Sequence, residues 1–130
     1  MDFSKLKGKI FFNNKFVPSQ KASIHVLNHS LHFASAVFEG IRVYNKKVLF
    51  LDDHLERLIK SSKLMKLDCR YKKKELERII KNLIKINKIK DGYVRPIIFR
   101  SSHSMSPETK NCHSIIAIAC WEWGNLFKGE

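Results

Sequence analysis

Acidic side chains are scarce in this 130-residue chain: 12 Asp and Glu stand against 25 Lys and Arg, a formal net charge of +13. Such an excess raises nucleic acid as a partner. Its sources, however, are mainly lysines scattered through helix-like segments (Lys60, Lys63, Lys66, Lys81, Lys85, Lys88), and only Lys72-Lys73-Lys74 forms a run. That distribution describes a solvated face, so specific nucleic-acid binding is not expected. Cysteine is sparse too. Cys69, Cys112 and Cys120 are an odd set without CxxC spacing, which argues against a disulfide framework or zinc knuckle and suits free thiols in a reducing compartment. No apolar run approaches the ~20 residues of a membrane helix, and no basic-then-apolar leader precedes the first strand signal. The expected setting is the cytoplasm, with no membrane partner. What the chain does have is a hydrophobic content of 44%, enough for one compact core and, at this length, too little for two.

The patterning predicts an α+β domain, a mostly antiparallel sheet covered by two helices. Residues 9–12 and 15–17 flank Asn13-Asn14, which tolerates left-handed backbone angles and predicts a tight hairpin ended by Pro18. Residues 24–27 could be a short strand, and 31–36 a helical turn or loop. Val37 to Tyr44 and Val48 to Leu51 form a second predicted hairpin about Asn45-Lys46. Leu55, Leu58, Ile59, Ser62 and Met65 recur at helical spacing, giving a helix of about 53–67 capped by Asp52 or Asp53. Leu76, Ile79, Ile80, Leu83 and Ile86 repeat the pattern in a helix near 73–89, closed by Asp91-Gly92. Tyr93 to Ser101 and Ser114 to Trp121 read as long buried strands joined by a polar loop.

Several residues could carry chemistry. Arg57 is either a surface arginine paired with a neighbour such as Asp53, or a planar guanidinium suited to bidentate phosphate recognition. Phe38 could be strand packing, and Gly40 a bulge or a point of close backbone approach to a ligand. Arg95, in a buried-looking strand, needs a carboxylate, with Glu39 or Asp91 as structural partners. Trp121 suits closure of the core. His25, His29 and His32 invite a metal hypothesis, but no carboxylate or cysteine accompanies them, and no metal site is expected.

Taken together, Phe38-Glu39-Gly40-Ile41-Arg42, the His54-x-x-Arg57-Leu58 element, Tyr93-Val94-Arg95-Pro96 and Trp123-Gly124 resemble the N-terminal small domain of branched-chain amino-acid aminotransferases. These are fold-type IV enzymes that use pyridoxal 5'-phosphate (PLP). The resemblance implies that Arg57 binds the cofactor phosphate. It implies that Phe38, Gly40, Arg42, Tyr93, Arg95 and Trp123 face the substrate, with Tyr93 and Arg95 at the edge that holds the side-chain carboxylate of glutamate or 2-oxoglutarate. Three positions depart from the family pattern: Phe33 and Leu126 stand where tyrosine is common, and Ala34 where glycine is.

The family's Schiff-base lysine belongs to a C-terminal domain, and no lysine here matches its position. The expectation is therefore a single domain over 1–130 with no catalytic residue of its own, inactive in transamination between Leu, Ile or Val and 2-oxoglutarate unless a C-terminal half is supplied. The alternatives are a non-catalytic module complementing a separate half, and a basic nucleic-acid-binding domain. A face left bare is expected to self-associate, giving a homo-oligomer.

Overall fold

A computed structural model describes residues 2–102, 104–110 and 112–124. Strands β1 (Lys9–Phe12) and β2 (Lys15–Pro18) form the first hairpin, and Asn13 and Asn14 take φ of 44° and 77° at its turn. A short helix α1 (His29–Phe33) follows, then β3 (Ala36–Phe38), β4 (Ile41–Tyr44) and the two-residue β5 (Lys47–Val48). Helices α2 (Leu51–Leu64) and α3 (Lys73–Ile86) come next, and the long strands β6 (Gly92–Arg100) and β7 (Ser114–Glu122) end the fold. The sheet order is β2-β1-β7-β6-β4-β5, with β3 also paired to β6, and every pairing is antiparallel. The expected α+β class is observed.

Both long helices lie on one face. α2 packs over β3, and α3 over β1 and β7. Leu55 and Leu58 of α2 and Leu76, Ile80 and Leu83 of α3 meet Ile41, Val43, Val94, Ile98 and Ile118 of the sheet in a single core. The opposite face carries the alternate positions of the same strands, as the two-residue period of a strand requires.

Five local expectations change. The expected strand from Val48 to Leu51 shortens to β5 (Lys47–Val48), and Leu49 and Phe50 lie in a turn that leads into α2. Residues 24–27 form no strand; Val26 and Leu27 lie in a turn. Helix α2 begins at Leu51, earlier than expected, with Phe50 in the left-handed region (φ 47°) and no side-chain cap. Asp52 and Asp53 instead sit in its first turn, where carboxylates favour the positive end of the helix dipole. Helix α3 ends at Ile86, and Gly92, expected to close it, is the first residue of β6. Finally, the expected strand from Val37 to Tyr44 is broken between β3 and β4. Its register against β6 runs through unchanged, from Phe38 opposite Ile97 to Ile41 opposite Val94, so no extra residue is inserted. The break arises on the partner. Pro96 accepts from the Glu39 amide at 3.0 Å but has no N–H to return a bond. Gly40 is therefore not a bulge.

Candidate functional site

Alternation along β3–β4 sends neighbouring residues to opposite sides of the sheet. Phe38, Gly40 and Arg42 fall on the face without helices, and Glu39 between them on the helix-bearing face. The six residues expected to face substrate gather on the open side. Arg42 is opposite Tyr93 across the ladder. The Tyr93 ring lies 5.2 Å from those of both Trp121 and Trp123. Arg95 Nη2 donates to Tyr93 Oη at 3.2 Å, and its guanidinium stacks 4.4 Å from the centre of the Phe38 ring. A side chain on Gly40 would overlap the Tyr93 hydroxyl, so only glycine leaves that hydroxyl where it is.

Neither arginine of this face has a carboxylate partner among the described residues. Arg42 donates from Nη2 to the Gly124 carbonyl at 2.8 Å, while its Nε and Nη1 and the Nε of Arg95 are buried without a hydrogen bond. The structural partners expected for Arg95 are occupied elsewhere: Glu39 by α2, and Asp91 by the Asn45 amide at 2.8 Å. Buried, unmet guanidinium donors carry a desolvation cost that an incoming anion would relieve. Trp121, expected to close the core, is instead buried on this open face against Phe3, at 5.1 Å between ring centres.

Arg57 lies apart, on the helix side. Its partner is not Asp53. Its Nε and Nη2 donate to the two Glu39 carboxylate oxygens at 2.6 and 2.7 Å, and His54 Nδ1 meets Glu39 Oε2 at 2.7 Å. Glu39 is 6% exposed at its side chain and Arg57 67%. The hydrogen bond from Arg57 holds the Glu39 carboxyl below the usual carboxylate range, against the upward pull of burial, with His54 adding to the lowering. The same contact raises Arg57. Phe50, Asp53, His54 and Arg57 line an open cleft of about 250 Å³. This ion-pair cluster was not legible as such in the sequence. The signal for it was a glutamate at an inward position between Val37 and Ile41, which demands a cation, with His54 and Arg57 three residues apart on the next helix.

Among the described residues no group of His, Cys, Asp or Glu could hold a metal ion. The three histidines have separate uses: His25 accepts from the Leu27 amide, His32 bonds the Val26 carbonyl, and buried His29 bridges Ser35 and the Ser106 carbonyl. The three cysteines are free thiols. Among the described residues no helix is long and apolar enough to cross a membrane. Phe33 and Ala34 are at the end of α1, where Ala34 takes φ 52° in place of the more usual glycine. Leu126 lies outside the described residues.

Residues 36–129 match the family model described as amino-transferase class IV. The chain belongs to that family. A relative from Rickettsia felis, a probable branched-chain-amino-acid aminotransferase, is 42% identical over 110 residues, covering 85% of this chain and 38% of its own length. The branched-chain-amino-acid aminotransferase of Escherichia coli is 32% identical over 126 residues, covering 93% and 41%. Among solved structures, the branched-chain aminotransferase of Thermoproteus uzoniensis with norvaline superposes with a TM-score of 0.86 at 32% identity, covering 93% of this chain and 42% of that one. This class IV aminotransferase chain thus spans about two fifths of the length of these relatives, and its fold is that of the family's small domain. The Thermobaculum terrenum branched-chain amino acid aminotransferase in its PLP form shares that fold, with a TM-score of 0.78 at 21% identity, covering 92% and 41%.

Proposed function

We propose that this chain is one wall of a PLP-dependent branched-chain amino-acid aminotransferase, transferring an amino group between Leu, Ile or Val and 2-oxoglutarate once a lysine-bearing domain is joined to it. The observation that carries the reading is the open sheet face, where Phe38, Gly40, Tyr93 and Arg95 meet around buried, unmet arginine donors. An apolar wall beside a cationic edge suits a pocket that takes branched aliphatic and acidic side chains in turn. Phe38 and Trp123 would exclude water and pack the aliphatic chain, while Arg95, with Tyr93 beside it and Arg42 nearby, would orient a carboxylate.

The residues fit part of the cofactor. The Nη1 group of Arg57 makes no bond among the described residues, so the side chain can take a phosphate oxygen while Glu39 holds its other edge. They do not fit a Schiff-base lysine. Such a lysine needs desolvation or a neighbouring cation to hold it deprotonated. Among the described residues every lysine is exposed except half-buried Lys73, whose hydrogen bond to Asp52 raises it. PLP when bound supplies the electron sink for amino-group transfer; the lysine would come from outside the described residues. Borohydride reduction of the chain with PLP is expected to label lysines in a scattered way that phosphate does not suppress. Stoichiometric labelling of one lysine, lost in Arg57→Ala, would show that this chain completes the site alone.

The same face supports an oligomeric chain. Phe38 is 57% exposed, Leu31 62% and Ile24 43%, a large amount of apolar surface for one side of a small domain. Light scattering at rising concentration is expected to show association, and a clean monomer at high concentration would count against it. The free thiols suit a reducing cytoplasm.

A further inference from the structure

Glu39, the buried carboxylate in contact with Arg57, is not among the residues that would meet substrate or cofactor. Its position is set by the sheet: its amide is bonded to the Pro96 carbonyl, and its side chain enters the helix-bearing face beside Ile41. Three donors converge on it, Arg57 Nε, Arg57 Nη2 and His54 Nδ1, all between 2.6 and 2.7 Å. A guanidinium can be gripped side-on, through Nε and one amino group, or end-on, through its two amino groups. Here the side-on edge is taken. The Nη1 amino group makes no bond among the described residues, on a side chain that is 67% exposed and lines the cleft with Phe50, Asp53 and His54.

We infer that Glu39 is a positioning residue of an oxyanion anchor: it grips the inner edge of Arg57 so that the Nη1 edge is presented, already oriented, to a phosphate group in the cleft. The inference rests on the reading of Arg57 as a phosphate anchor. A free arginine must lose several rotatable bonds on binding an anion, whereas this one has lost them on folding. His54 contributes from the other side, because its Nδ1 contact with Glu39 leaves the carboxylate no freedom to turn away. The charged and titratable groups against Glu39 are these two from α2; β6 presents only the backbone of Pro96 to it, since Tyr93 and Arg95 project from the opposite face.

Binding should then depend on pH with a definite sign. Glu39 grips Arg57 only when ionised, and Arg57 and His54 hold its carboxyl below the ordinary value of 4.5. The grip is complete at pH 6, persists through pH 4.5, and is lost as pH falls through the lowered value. The titration is confined to the span between the first and second ionisations of inorganic phosphate, where it is a monoanion, so that its own titration does not intrude. Asp53 lines the same cleft and places a like charge near the phosphate.

The test is the affinity of the full chain for inorganic phosphate, followed by phosphorus NMR at pH 5.5 and at stepwise lower pH, with circular dichroism confirming the fold. Glu39→Gln is expected to weaken phosphate about tenfold, ~1.4 kcal/mol, and to abolish the acid limb seen in the unmodified chain. Arg57→Ala is expected to lose binding. Loss of binding in Arg57→Ala with unchanged affinity in Glu39→Gln overturns the positioning role and leaves the anchor intact. No binding by the unmodified chain, or equal binding by Arg57→Ala, overturns the anchor reading and the inference with it. Should Glu39→Gln not fold, an Asp53→Asn variant, which lacks the like charge in the cleft, still decides: affinity that is flat, or that rises, as Glu39 is protonated in it is incompatible with the role.

Discussion

Gly92→Ala is expected to destabilise the domain by about 3 kcal/mol, at the upper end of what overpacking costs. Gly92 opens β6 where three strands meet, opposite Val43 of β4 on one side and Glu122 of β7 on the other. An added methyl would overlap the Trp121 carbonyl oxygen and approach Ile89 Cγ2 to 2.7 Å. The first obstacle is backbone, in the molecule's longest strand pair, and cannot rotate aside. Relief requires opening the end of the β6–β7 ladder, which also lifts the anchor of the Ile89 segment. Against a net stability of roughly 5–15 kcal/mol, this corresponds to a fall in melting temperature on the order of 10 °C. Gly124→Ala is the matched control, because nothing lies within 4 Å of its added methyl. A Gly92→Ala melting temperature equal to that of the control would refute the steric account.

Leu58→Ala carries the second large effect. Leu58 is fully buried at the centre of α2, and its truncation leaves a cavity between that helix and the sheet. Loss of a buried leucine side chain costs about 2–5 kcal/mol, the spread reflecting how far the site can collapse. The core around Leu58 includes Leu55, Ile41 and Val94, themselves at 0 to 1% exposure. Little collapse is therefore available, and about 3–4 kcal/mol is expected. Leu64→Ala on the same helix, at 76% exposure, is expected to change stability by less than about 0.5 kcal/mol. The measurement is the denaturant midpoint at unchanged slope. Equal shifts in the two variants would mean that α2 is not docked by Leu58. The effect reaches the candidate site, since α2 also carries His54 and Arg57 to Glu39.

Sequence by itself determined the elements and the family. The Asn13-Asn14 turn, the apolar stripe through Leu55 and Leu58, the stripe through Leu76, Ile80 and Leu83, and the two long strands are each written within one short window. Their periodicity is a property of the segment alone. The residues that gather on the open sheet face were also legible, because the motifs that hold them are contiguous. Tertiary structure decided what depends on a distant partner. Strand order placed Tyr93 across from Arg42, 51 positions earlier in the chain (93 minus 42). Pro96 on β6, rather than any residue of 37–44, broke the strand that runs beside it, because a missing donor is felt by the neighbour. The partner of Arg57 was likewise out of reach. Asp53 lay nearer in sequence, but the buried carboxylate of Glu39 could not be left without a cation, and docking α2 over β3 brought Arg57 and His54 to it.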